Sequence, residues 1–419
     1  MEHSPCGARR VPPFARSAYL ALLILGTILI APVEAASWGV IVRGHGSDQG
    51  ELPLFTKIEA EVPPGDYLLT PEKGGKALRA LITKIEGSTY LATVLKAVPG
   101  QEPMSFSMAP DPKAEDSREG VSMRPEGGSL HVLVHGKLLM DYRTTEPTKP
   151  YYYPLIGPTG AAITRAYPTE KVAGETRDHP HQRSFWFTHG DVNGYDFWAS
   201  DFLNTPNPKF GKIKETSRKF LAKAAVGVIQ TTDDWLGPDG KAVCSDQRVV
   251  RIYDTEAGRV LDFDVTIKAS AGPVVFGDTK EGMFGIRVAS SMDVKAKKGG
   301  RITNAEGLTD NATWGKASPW VDYTGPVEGK TVGVAILNHP SSFRYPTTWH
   351  VRDYGLFAAN PFGWNAFGQK TSGEHTIPSD ESITFRYRVF LHEGDTESAR
   401  IAAAFKGYAE PPSVEVKAN

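Results

Sequence analysis

The chain has 419 residues, 47 basic against 48 acidic side chains, a formal charge of −1 and a 40% hydrophobic content. So even a charge balance excludes the electrostatic footprint of a nucleic-acid binder or of a protein held on an anionic membrane surface. Only Cys6 and Cys244 are present, which excludes a disulfide-stapled scaffold and leaves a hydrophobic core to stabilise the fold.

In chain order, Arg9, Arg10 and Arg16 precede an apolar run from Ala18 to Ile30, and Val33-Glu34-Ala35 follows. This is the pattern of a signal peptide over residues 1–36, cleaved after Ala35 or Ala36. Cys6 leaves with it, so Cys244 remains alone and is expected to be inert. No later run approaches the length of a spanning helix, so a periplasmic or secreted protein without membrane insertion is expected. Residues 37–110 read as a small β-sandwich-like accessory domain. A polar, Pro-containing stretch at 109–117 then marks a boundary to a larger β unit over 121–410.

Period-two alternation dominates that unit. Leu130–Val134 and Lys137–Tyr142 form a hairpin around His135-Gly136. Leu261, Phe263, Val265 and Ile267 share one strand face, as do Ile383, Phe385, Tyr387, Val389 and Leu391, while Thr331–Leu337 is almost wholly apolar. Alternating runs separated by turns predict antiparallel sheets, and 42 glycines with 31 prolines supply the turns. The one helix is expected over Thr396–Lys406, with Asp395 as N-cap and Gly407 just past its end.

Four polar words interrupt this pattern. Asp178-His179-Pro180-His181-Gln182-Arg183 runs into Phe185-Trp186-Phe187. Extended backbone would turn His179, His181 and Arg183 to one face, continued into the core by Phe185 and Phe187. His189, Asp191 and Asp196 follow around an Asn193-Gly194 turn. Lys280-Glu281-Gly282 precedes Arg287, with Glu281 and Arg287 expected on one side of a strand, either as site residues or as a buried pair. Trp320 and Asn360 flank Trp349-His350-Val351-Arg352, where His350 and Arg352 repeat the pairing of imidazole with guanidinium. The two imidazole–guanidinium words are expected to close one pocket, since unpartnered buried polar groups cost about 1–3 kcal/mol each.

Taken together, Tyr153-Pro154-Leu155, Arg165-Ala166-Tyr167-Pro168, Asp178-His179-Pro180-His181-Gln182-Arg183-Ser184, His189-Gly190-Asp191-Val192-Asn193-Gly194, Lys280-Glu281-Gly282, Pro319-Trp320-Val321-Asp322-Tyr323 and Trp349-His350-Val351-Arg352-Asp353-Tyr354-Gly355 resemble the DUF6807 family. The resemblance implies an all-β fold: an antiparallel β-supersandwich, galactose-mutarotase-like, here with a small N-terminal β domain and one C-terminal helix. It also implies an exported bacterial protein of carbohydrate utilisation. The family has carried the label methane oxygenase PmoA as well. A membrane methane monooxygenase needs several spanning helices, and none follows the signal segment, so that activity is not expected.

The expected function is action on a sugar or oligosaccharide, as a glycoside hydrolase, lyase or epimerase. His179, His181, Glu281 and His350 are the candidate acid–base groups, and Arg183, Arg287, Trp320, Arg352 and Asn360 the candidate substrate-binding residues. No cofactor or metal is expected. Two alternatives stay open: a non-catalytic carbohydrate-binding protein, and a metal-dependent enzyme using His179 and His181, for which His-x-His alone lacks a third ligand.

Overall fold

The computed structural model describes residues 37–44, 50–96, 102–113, 120–145, 148–200, 207, 209–223, 226–256 and 258–419. The signal segment lies outside the described residues, as does part of the 109–117 stretch. Ala109 and Pro110 end a strand, Met104–Pro110.

The alternating runs pair into antiparallel sheets. The front sheet has eight strands in the order Trp349–Val351, Leu356–Ala359, Gly282–Arg287, Phe185–His189, Tyr151–Leu155, Lys137–Arg143, Ser129–Val134 and Val121–Glu126. The central sheet runs Lys212–Lys223, Val226–Leu236, Ala242–Tyr253, Arg259–Lys268, Ser382–Glu393, Lys330–Asn338, Trp320–Val327 and Arg301–Asn304. The back sheet has seven strands: Glu51–Ile58, Ser88–Lys96, Leu78–Ile85, Gly65–Pro71, Met104–Pro110, Trp38–Arg43 and, from the far end of the chain, Ser413–Ala418.

Front and central sheets pack face to face through the alternating residues. Phe185 meets Phe263 at 5.4 Å, Phe284 stacks on Tyr387 at 4.5 Å, and Phe187 meets Phe385 at 6.0 Å. Leu261, Val265, Ile267, Val389 and Leu391 complete this core. The hairpin turn at His135 and Gly136 has both residues at positive φ, 50° and 71°, the geometry of a tight two-residue hairpin. Cys244 is buried in the same core, where burial raises its thiol pKa, so the thiolate is disfavoured.

The central sheet is covered on its other face too. Leu81, Ala92 and Val94 of the back sheet pack with Val228, Tyr253, Phe390, Trp320, Ile401 and Tyr408. Arg388 and Asp262, on that covered face, pair at 2.6 and 3.0 Å, and Tyr253 donates to Asp262 at 2.8 Å. The helix is shorter and later than expected, Ile401–Ala409. Asp395 caps only a preceding turn, accepting from the Ser398 N–H at 2.9 Å. Arg400, at φ 54°, breaks the helical path, and Gly407 lies buried inside the helix.

Asp262→Ala leaves Arg388 enclosed without its carboxylate. A loss of about 3–5 kcal/mol is expected, read as a lower urea midpoint. A midpoint within error of the parent would show that this pair adds nothing to the stack of sheets.

Candidate functional site

In the front sheet, alternation sends Phe185, Phe187, Phe284, Ile286, Trp349, Val351 and Phe357 into the core. The intervening residues face outward and align across five strands: His350 pairs with Ala358, Ala358 with Gly285, Gly285 with Trp186, and Trp186 with Tyr151. Gly285 is required in this row, because a Cβ there would stand 2.8 Å from the Trp186 ring. Tyr151, Tyr153, Ala166, Trp186, Trp198, Leu356 and Ala358 form a second buried cluster on this outer face. The candidate site is built on that floor.

Residues 177–184 do not continue the strand, which corrects the extended reading. The strand starts at Phe185. His179 and Ser184 have φ of 44° and 51°, and the Gln182 N–H donates to the His179 carbonyl at 3.0 Å. The turn still brings His179 and His181 edge to face, 5.7 Å apart.

Arg165, which was not among the expected site residues, folds this turn. Its fully buried guanidinium donates to the carbonyls of His179 and Gln182 at 3.1 and 3.4 Å and to Asp178 Oδ1 at 2.5 Å. Arg287 donates to the same Oδ1 at 2.9 Å and to Gln182 Oε1. Asp178 therefore bridges two buried cations. The Nδ1 of His179 lies 3.1 Å from the other oxygen, Oδ2, at ion-pair distance and off the hydrogen-bond line, and the His179 side chain is 41% exposed.

Tyr354 joins this turn to the second imidazole–guanidinium word. The His179 ring stacks parallel to it at 5.2 Å, and the guanidinium carbons of Arg287 and Arg352 lie 4.9 and 5.6 Å from its centre. Arg352 also lies 5.6 Å from the centre of the Trp314 ring, and Trp314 Nε1–H donates to His350 Nδ1 at 3.0 Å. His179, Arg287, Arg352 and His350 are thus linked through two aromatic rings.

The other expected residues fall differently. Glu281 does not pair with Arg287. It meets the neighbouring Lys280 and stays one-third exposed at the head of its strand. Arg183 is buried, with its guanidinium carbon 5.5 Å from the Tyr151 ring centre. Trp320 is not at the site: its strand sends Val321 and Tyr323 into the front–central core and Trp320 the opposite way, toward the back sheet and helix. Asn360 has its side chain committed to backbone, donating to Thr279 O at 2.9 Å and accepting from the N–H groups of Phe362 and Gly363 at 2.9 and 3.2 Å. His189 is buried and bonded at Nε2 to Gly277 O, 2.9 Å. Asp191 and Asp196 accept from backbone N–H groups in the turns they begin.

Burial decides the charge of these groups. It drives the His181 pKa down to about 2, with Lys149 and His179 adding to the effect. His350 falls to about 3 through burial, then Lys280, Arg352 and His179. Burial also takes His189 to about 4 against its bond to Gly277. Burial thus keeps His181 and His350 neutral near pH 7, so neither ring stands there as a protonated acid. Burial opposes ionisation of Asp178, but Arg287, Arg165 and His179 outweigh it and hold its carboxyl below the usual range. Behind the Tyr354 turn, burial lifts Asp293 to about 7, partly offset by Arg287. Among the described residues, no three His, Cys, Asp or Glu side chains come together as metal ligands.

The family model of DUF6807, described as a family of unknown function, matches residues 129–406. The chain belongs to the DUF6807 family. That span holds both imidazole–guanidinium words, Arg165 and Tyr354. No curated protein matches the chain. One solved structure it is similar to is a galactose mutarotase-like protein from Lactobacillus casei ATCC 334, at 9% identity over 65% of this chain and 100% of that one, with a TM-score of 0.30. At that score the likeness assigns neither chemistry nor ligand. Among the described residues no helix is long and apolar enough to cross a membrane.

The three buried imidazoles bind protons more weakly folded than unfolded. Below about pH 6.5 the unfolded chain takes up protons that the folded chain refuses, so their contribution is intact above that pH and lost as pH falls. Each should add a slope of about 1.4 kcal/mol per pH unit to the stability profile once well below its unfolded pKa. Urea unfolding across this range checks it: His189→Gln should remove one histidine's share of the slope. An unchanged slope would mean that His189 is protonated in the folded protein.

Proposed function

We propose that this DUF6807 protein is an exported carbohydrate-active enzyme that acts on a sugar or glycoside, with His179 as the group that gives or takes the proton. The carrying observation is the placement of His179: half-exposed, stacked on Tyr354, with Nδ1 buried against a carboxylate that two buried arginines hold in place. Such an arrangement leaves Nε2 as the nitrogen facing a ligand and keeps the ring oriented, which is what acid–base catalysis asks of an imidazole. Glu281, one-third exposed just before the strand Gly282–Arg287, is the second carboxylate of this reading. Neutral His350 and cationic Arg352 serve as donors to substrate oxygens, and the rings of Trp314 and Tyr354 offer faces for sugar C–H surfaces. Export rests on the n-, h- and small-residue pattern of residues 1–36.

The test is a panel of mono- and oligosaccharides followed by NMR for bond cleavage, anomeric exchange and carbon-bound deuterium exchange. His179→Ala should lower turnover about 100-fold or more with its urea midpoint preserved. Full activity in that variant contradicts the assignment, and saturable binding by the parent without any turnover identifies a binding protein instead. N-terminal sequencing of material recovered outside the cytoplasm should begin after Ala35 or Ala36. A chain beginning at Met1 would contradict export through cleavage.

A further inference from the structure

Arg352 differs from the other arginines of the site. Arg165 and Arg287 are committed to Asp178 and to amide or carbonyl oxygens. Arg352, by contrast, has no hydrogen-bond or ion-pair partner for its guanidinium among the described residues; it is held by the Trp314 and Tyr354 rings alone. Its backbone is pinned: its N–H donates to Leu356 O at 2.7 Å, and its carbonyl accepts from Gly355 N–H at 3.1 Å and from the Tyr323 hydroxyl at 3.2 Å. A planar fork with five donors therefore lies between two aromatic rings and is left without a protein acceptor.

Beside it stands a second uncommitted donor. An indole N–H can only donate, so the bond from Trp314 makes His350 Nδ1 an acceptor. The neutral ring must then carry its proton on Nε2, which meets no partner among the described residues. Trp314 thus steadies Arg352 and fixes the tautomer of His350 together.

We propose that the ligand of this site carries a carboxylate, held by the Arg352 fork with His350 Nε2–H on a neighbouring oxygen, so that the substrates are sugar acids such as uronates and aldonates rather than neutral sugars. The inference rests on the carbohydrate reading above and narrows it. A forked guanidinium matches the two oxygens of a carboxylate. A phosphate dianion fits less well, because the nearby Lys280 is already paired with Glu281, whose carboxylate repels a second negative charge.

The experiment is calorimetric titration with hexuronates, hexonates, their neutral hexose counterparts, hexose phosphates and simple non-sugar carboxylates, on the parent, Arg352→Gln, Arg352→Lys and Trp314→Phe. Uronates or aldonates should bind at least about tenfold more tightly than neutral counterparts. Arg352→Gln should remove that advantage, weakening uronate and aldonate binding by at least about tenfold more than neutral-sugar binding. Arg352→Lys keeps the charge and loses the fork, so it should recover only part, and it covers the case in which Arg352→Gln does not fold. Trp314→Phe should weaken carboxylate binding with the fold intact by near-ultraviolet circular dichroism. Equal binding of neutral and acidic sugars, tighter binding of phosphates, or no binding of any carboxylate would overturn the inference. In the first of these the carbohydrate reading stands. Carboxylates bound through Arg352 with no sugar bound would uphold the fork and sink the sugar reading.

Discussion

The site depends on one shared carboxylate. Asp178 accepts from Arg165 and Arg287 on the same oxygen and so ties the 165–183 loop to the strand Gly282–Arg287. Without a common anion, two buried guanidiniums at such close quarters repel, and neither has water to screen it. The same bridge sets the turn that carries His179 and leaves the second oxygen of Asp178 beside His179 Nδ1. Positioning of the exposed imidazole is thus a by-product of neutralising two cations.

The demand for that neutralisation comes from the sheet. Most antiparallel sheets show one face to water, but the front sheet carries a buried aromatic floor on its outer side as well. Polar groups placed there need partners or lose their charge. Arg165, Arg287 and Asp178 take the first course, and His181 and His350 the second. His179 and Arg352 lie where the cover ends. They therefore keep accessible polar atoms, and they are the residues to which chemistry and recognition are assigned above.

The strands were legible because period two has a direct physical cause. Leu261, Phe263, Val265 and Ile267 alternate since one face packs against the front sheet. The same rule, applied to Trp320 with Val321 and Tyr323 as its neighbours, places the indole on the far side of its strand, away from the site. Asn360 before Pro361 carries the signature of a side chain that bonds its own turn, which is its role. The 177–184 turn was not legible, because it is imposed by Arg165, whose bonds to Asp178, His179 and Gln182 reach 13 to 17 residues along the chain, beyond any local periodicity. One signal was present: an arginine among Ala162, Ile163 and Ala166 is seldom buried unless paired, and such a residue calls for a distant carboxylate. The back sheet's use of Ser413–Ala418 is a long-range pairing of the same illegible kind.

The most direct measurement of this account is a double-mutant cycle on Arg165→Gln and Asp178→Asn, read by urea unfolding. The bridge predicts a coupling of about 1–2 kcal/mol, below that of a fully enclosed pair because the Asp178 side chain is 42% exposed. Effects that add to within about 0.5 kcal/mol would contradict it, and with it the claim that the shared carboxylate builds the site.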